Sequence, residues 1–449
     1  MTFFDFILFF IYVFIFNLLF ARSRKKLTDP VLKKYHRYGF WVKVVGAFAY
    51  SMFVLYISPG DTTGLYYPEG YNIYKLILHD SSNAYLLIIP GKEFDQTLLA
   101  NPYNLGYFYE EANYMISRIV AILCFVTYGK FMAINLIFSL FSFTGVWKLY
   151  RFFYDQYPSL HKQFAIALIF FPTFVFWSSG ILKDPLCTGA LGWITYCLYH
   201  VVYLQKNVLR NTVLLIFFSV LLIILKVYII VSYLPFFILF LLLKNVNLIK
   251  SKFIKAFLLI IVITGGVFGF IKVSKNIDST LGGFTNAGIS KSIIYYQKSY
   301  AAQAENAGSN FSLGVEYDGS LSSLARMAPA AVIATLFRPF LWESKKISTL
   351  LSSLESLALI LFTLYVIIKV KPLKMISIII NNPLAMYCFF YSILFALFVG
   401  ATTLNFGTLV RYKIPGMPFY LIALFIMLYQ NKQNKKPAGK SGPVLVSEM

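Results

Sequence analysis

Asp61 is the acid best placed for chemistry. It lies in Ser58-Pro59-Gly60-Asp61-Thr62-Thr63-Gly64, directly after an apolar run that ends near residue 58. Pro59 and Gly60 stop a helix and turn the chain. The carboxylate is therefore left where an apolar layer gives way to polar surroundings. There it can take a proton from a hydroxyl as a general base; the alternative is a solvated loop acid that follows a turn. Lys183-Asp184, after Trp177-Ser178-Ser179-Gly180-Ile181-Leu182, joins two further apolar runs. A lysine is a point charge suited to phosphate, and the neighbouring acid can orient it; a surface pair on a tight turn is the plain alternative. Arg338 and Glu343 flank Trp342, and Arg338 can fork onto either a carboxylate or a phosphate. Arg411-Tyr412-Lys413 opens the last apolar run with two cations, which either bind an anion or snorkel to the membrane surface. Glu69 and the adjacent Glu110-Glu111 are the acids that can support Asp61 from the same loop. Glu355 falls inside an apolar run; it should face a cavity or a cation there, unless the run begins later and the acid is interfacial.

The elements that must position these groups are membrane spans. Of the 449 residues, 59% are hydrophobic and only 13% charged, about half the charged share of a soluble domain. Mean hydropathy is +0.69. Crossing a bilayer takes about 20 apolar helical residues, and the sequence predicts such spans near 2–20, 41–58, 131–149, 163–178, 186–204, 211–225, 228–243, 254–272, 349–369, 377–398 and 413–430. The sixth and seventh form a tight hairpin around Lys226-Val227-Tyr228. In lipid every backbone group must be satisfied internally, so the expected fold is all-α: a polytopic integral membrane protein with about 11 transmembrane helices.

The net charge of +22 then reads as a topology signal, not as a nucleic-acid surface. If Arg22 through Arg37 face the cytoplasm, alternation of sides puts 23 basic and 3 acidic residues on that face and 16 basic and 13 acidic on the other. Cytoplasmic loops carry the excess of Lys and Arg, which orients the chain N-out and C-in. Residues 1–40 are expected to be an anchor helix and a basic cytoplasmic loop, with no basic residue ahead of the first span as a cleavable signal would have. Residues 41–430 form the membrane core, with large extracytoplasmic loops at 59–130 and 273–348. Within the first loop, Tyr114–Thr127 suits an interfacial or re-entrant helix. Residues 431–449 read as a disordered cytoplasmic tail. The four cysteines and four histidines show no metal-ligand spacing, and no phosphate-binding loop or dinucleotide fingerprint is present.

Taken in order, Gly60-Asp61-Thr62, then Pro172…Trp177-Ser178-Ser179-Gly180…Lys183-Asp184, then Arg338-Pro339-Phe340…Trp342-Glu343, then Arg411-Tyr412-Lys413-Ile414-Pro415 resemble the pattern of GT-C-type membrane glycosyltransferases. The nearest likeness is to bacterial relatives of the dolichyl-phosphate-mannose:protein mannosyltransferases, and it extends over residues 41–430. Three departures are visible: Thr62-Thr63 follow Asp61 where many relatives carry a second acid, the W-W-D-Y-G signature of oligosaccharyltransferases is absent, and an extra N-terminal span precedes the core. The resemblance implies a multi-pass enzyme of the bacterial inner membrane that moves a sugar from a polyprenyl-phosphate donor to a hydroxyl of a glycan, lipid or protein acceptor on the outer face. It implies Asp61 as catalytic base or metal contact and leaves a divalent metal possible. Lys183, Arg338, Arg411 and Lys413 are then the candidates to hold the donor phosphate, supported by Glu69, Glu110, Glu111, Asp184, Glu343 and Tyr412. A polysaccharide polymerase or O-antigen ligase using a diphosphate-linked glycan, and a lipid or glycan flippase, are the alternatives.

Overall fold

The computed structural model describes residues 3–245, 265, 310–315, 321–344 and 347–434. The predicted span 254–272, apart from residue 265, and the tail from 435 onward lie outside the described residues. Every regular element among them is helical. The larger ones are α1 (Phe3–Lys25), α2 (Pro30–Tyr56), α3 (Tyr67–His79), α4 (Leu105–Phe108), α5 (Glu111–Thr127), α6 (Phe131–Gln156), α7 (His161–Leu168), α8 (Pro172–Trp177), α9 (Lys183–Tyr199), α10 (Val208–Asn245), α11 (Leu321–Phe337), α12 (Ile347–Val370), α13 (Pro372–Asn381), α14 (Pro383–Thr402), α15 (Phe406–Tyr412) and α16 (Met417–Gln433). Among the described residues, six helices are long and apolar enough to cross a membrane, or seven if the bent pair α15–α16 counts as one. The described residues are all-helical, and their apolar helices are those of a multi-pass membrane protein.

Three expected elements take a different form, whereas the hairpin expected around Lys226 is present. The span at 163–178 is two short helices, because Phe171 is extended and Pro172 starts a new helix. The spans at 211–225 and 228–243 are the two halves of α10. At 38 residues a straight α10 would be about 57 Å long, nearly twice a bilayer core. Instead Lys226 leaves helical geometry (φ −155°, ψ 78°) and the chain reverses there. Phe218 stacks on Trp193 of α9, Lys226 meets Asp184 at the start of α9, Tyr233 reaches Thr195, and Lys244 reaches Tyr199. Moving away from Lys226 in either direction thus travels down the same helix. The expected loop 273–348 contains a helix, α11, packed along α14. A Cβ on Gly400 of α14 would come within 2.1 Å of the Ala331 carbonyl oxygen of α11. The last span starts at Met417, after a 60° bend from α15.

The centre of the bundle is the α6–α9 pair. Their backbones touch at Gly145, Gly189 and Gly192: a Cβ on Gly145 would lie 1.9 Å from the Gly189 carbonyl oxygen, and one on Gly192 2.0 Å from that of Gly145. Association in lipid depends on such close approach between small residues. The bundle has two distinct ends. Asp5 pairs with Lys130 at one, which also carries residue 61 through the Tyr67 hydroxyl bond to Gly129. Asp29 accepts from Tyr154 at the other, where Asn431 also donates to the Lys369 carbonyl. The 17-residue helix α5 lies against α3 at the first end, covering the candidate site.

Candidate functional site

The segment Ser178–Leu182, between α8 and α9, is the site's foundation. It has no helical hydrogen-bonding pattern of its own, so buried side chains must satisfy it. Lys43, deep in α2, donates to the Ser178 carbonyl at 2.7 Å and lies 3.3 Å from the Ser142 hydroxyl. Asn135 of α6 accepts from the Ile181 amide at 2.8 Å while its own amide donates to Ser51. Thr62 donates to the Ile181 carbonyl at 2.8 Å. Its single proton being spent there, it accepts from the Tyr50 hydroxyl at 2.7 Å. Gly180 has no room for a side chain, since a Cβ would fall 1.9 Å from the Tyr50 ring. Thr62 thus fixes the helical turn that carries Asp61 to the loop that delivers Lys183 and Asp184.

Above this loop lies a polar cavity of about 140 Å³, lined by Asp61, Leu65, Tyr66, Tyr107, Glu110, Asn113, Lys183, Lys226, Arg411 and Tyr412. Arg411 lies 3.1 Å from Asp61 and 3.6 Å, through Nε, from Asp184. Asp184, with its side chain 1% exposed, also holds Lys226 at 2.6 Å. The Lys226 ammonium rests over the Tyr412 ring at 4.1 Å. Lys183 makes no hydrogen bond or ion pair among the described residues. Glu110 accepts from the Asn113 amide at 2.9 Å. Burial pushes its carboxyl above the usual carboxylate range, against the pull of Lys183 and that hydrogen bond.

Beside the cavity runs a much larger groove of about 1000 Å³, lined by apolar side chains of α2, α8, α12 and α16, with Trp41, Phe53, Phe176, Leu351 and Phe425 among them. Thr173, Ser352 and Glu355 are the polar exceptions. Glu355 accepts from the Thr173 amide at 2.9 Å and from its hydroxyl, so this intramembrane acid does face a cavity. Trp177, which lines the groove, has its ring 5.8 Å from the guanidinium of Arg411, which lines the cavity.

The predicted site residues divide into three groups. Asp61, Lys183, Asp184, Arg411, Tyr412 and Glu110 come together at the cavity. Arg338, Glu343 and Lys413 do not line it. Arg338 is bidentate on Glu343, donates to the Ser312 carbonyl, and stacks on Phe311 and Phe406 at 4.2 and 5.2 Å. Lys413, 1% exposed, donates to the Arg338 carbonyl at 3.1 Å and to Ser356 at 3.3 Å. Both cations bond to the protein away from the cavity, so the structure does not bring them to the site with Asp61. Glu69 and Glu111 are structural. Glu69 accepts from the Ala100 and Asn101 amides and from Asn104, and Glu111 from Arg118 and the Gly91 amide.

Against known proteins, the chain matches no family model, no curated protein and no solved structure. Its site must therefore be read from its own residues. Among the described residues no three His, Cys, Asp or Glu side chains are grouped so as to hold a metal ion. Sequence reasoning missed Lys226 as a site residue, although it is the single charge between two apolar runs, and Lys43, a lone cation inside a span. A charge in such a place costs about 2.5–3.5 kcal/mol on insertion scales, which is itself a signal of a role.

Proposed function

We propose that this protein is a membrane glycosyltransferase that takes a sugar from a polyprenyl-phosphate donor and transfers it to an acceptor hydroxyl at the end of the bundle bearing Asp61. One observation carries the reading. A small cavity is lined by three cations and two carboxylates, with Asp184 buried against Arg411 and Lys226, and Trp177 of a large apolar groove lies 5.8 Å from the Arg411 guanidinium of that cavity. That pairing suits an amphiphile with a charged head and a long hydrocarbon tail.

In the reaction proposed, Asp61 takes the proton of the acceptor hydroxyl. The acceptor oxygen bonds to the anomeric carbon as the bond from that carbon to the phosphate oxygen breaks, and the electron pair leaves with the polyprenyl phosphate. Lys183 is the free cation best suited to meet that phosphate, with Arg411 and Lys226 held behind it by Asp184. The cavity's size favours a single sugar over a diphosphate-linked oligosaccharide. The Lys/Arg balance of the sequence assigns this end to the extracytoplasmic face, in a bacterial cytoplasmic membrane.

The test is transfer of labelled sugar from polyprenyl-phosphate donors to an acceptor in vesicles containing the purified protein. Donor-dependent product supports the reading; full turnover by Asp61→Asn would remove Asp61 as the base. A second reading, a lipid-phosphate translocator, draws on the breaks at 169–171 and 413–416, since transporters use interrupted helices. Donor movement across the vesicle with no sugar product would favour it.

A further inference from the structure

We infer that the cavity takes a singly charged phosphodiester headgroup together with one proton, and that Glu110 receives the proton. This rests on the lipid-phosphate reading above and deepens it.

The charges of this confined site can be counted. Asp61 and Glu110 at the cavity and Asp184 behind it oppose Lys183, Lys226 and Arg411, so the cluster is formally neutral. A phosphodiester entering it leaves one negative charge uncompensated in a place with little water to screen it. The imbalance disappears if one carboxylate becomes neutral. Asp184 is held between Lys226 at 2.6 Å and Arg411 at 3.6 Å, and losing its charge would strand two buried cations. Asp61 lies against Arg411, and its side chain is 44% exposed, so water already supports its charge. Glu110 is held only by the neutral amide of Asn113, and no cation pairs with it directly.

The charged and titratable neighbours on the surrounding elements leave Glu110 in this position. The turn before α3 presents Asp61 and Tyr66, α4 presents Tyr107, α9 presents Lys183, α10 presents Lys226, and α15 presents Arg411 and Tyr412. On α3, Glu69 is committed to the amides of 100 and 101 and to Asn104. On α5, Glu111 and Arg118 pair with each other. Lys130, ahead of α6, pairs with Asp5. Burial of the Glu110 carboxyl favours its neutral form in the same direction. Bound this way, the headgroup completes a balanced site, whereas a doubly charged diphosphate would need a second proton.

The experiment uses the full chain in detergent and geranylgeranyl methyl phosphate, a diester whose single charge is constant between about pH 5.5 and 8.5. Above the pKa of Glu110 the dissociation constant should rise about tenfold per pH unit, as linkage to one proton requires. Glu110→Gln should bind with the wild-type acid-limit affinity up to about pH 7, below the range in which Lys183, its pKa lowered to about 8 by burial, loses its own charge. Calorimetry of the wild-type chain in buffers of different ionisation enthalpy should show uptake of about one proton per lipid bound, and this readout needs no variant. Binding with a flat pH profile and no proton uptake would overturn the inference while leaving the lipid-phosphate reading intact. No binding at any pH would overturn that reading, and the inference with it.

Discussion

Arg411 and Lys413 are two residues apart, yet they belong to regions that use charge in opposite ways. Arg411 reaches into the cavity, where Lys183, Lys226, two lining carboxylates and the buried Asp184 leave one cation without a partner and open space between them. Lys413 turns back into the protein, where it donates to the Arg338 carbonyl and Ser356, while Arg338 donates to Glu343 and the Ser312 carbonyl and stacks on Phe311 and Phe406. The same residue types make a binding site in one region and a strut in the other. What separates them is whether the donors are consumed by the fold. A buried polar group that is fully satisfied adds rigidity, and one that is not is available to a ligand.

The contrast can be broken at either region. The largest effect belongs to Asp61→Asn, which should cut transfer by about 10²–10⁴-fold, the usual yield of a general base, with thermal stability unchanged because the side chain is half-exposed. Turnover in vesicles and a melting curve on the same preparation measure both. Arg338→Ala should do the reverse: it leaves Glu343 and the Ser312 carbonyl without their donor and should destabilise the fold by about 2 kcal/mol, discounted for partial exposure. The lipid-phosphate affinity of the protein that remains folded should be unaltered. Should Arg338→Ala abolish that affinity at full stability, the strut assignment is wrong. Lys183→Met should weaken binding of a prenyl phosphate about tenfold, or about 1.4 kcal/mol, without lowering the melting temperature, since a desolvated cation with no ion pair contributes no stability to lose. The smallest change is expected from Trp342→Ala. Trp342 lies in the strut region but is 81% exposed, so its removal should shift stability by no more than about 0.5 kcal/mol in a melting assay.

Asp61, Lys183 and Arg411 were legible in the sequence for a physical reason: each borders an apolar run, and groups that border spans at one end of a bundle have few places to go. Lys226 was visible as a turn between two runs but not as a site residue, because only the reversal along α9 brings it to Asp184. The separation of Lys413 from Arg411 was not legible at all. It depends on the bend between α15 and α16, and neither Ile414 nor Pro415 says in which direction a chain will turn. Helix α11 escaped because its apolar part is too short to cross a bilayer and it owes its place to contact with Gly400. Arg338 and Glu343 were correctly seen as a possible pair, but only the rings of Phe311 and Phe406 decide that the pair is closed to ligands.

The groove at Trp177 is bordered by Trp41, Leu351 and Leu354, which are exposed at the outer surface of the bundle, where the hydrocarbon layer would lie. A molecule reaching it from there diffuses in two dimensions. Its supply is then set by its mole fraction among the surrounding lipids and not by its amount per volume of solution. Diluting such a molecule with inert lipid at constant total quantity should slow its capture, whereas diluting the vesicles with buffer should not.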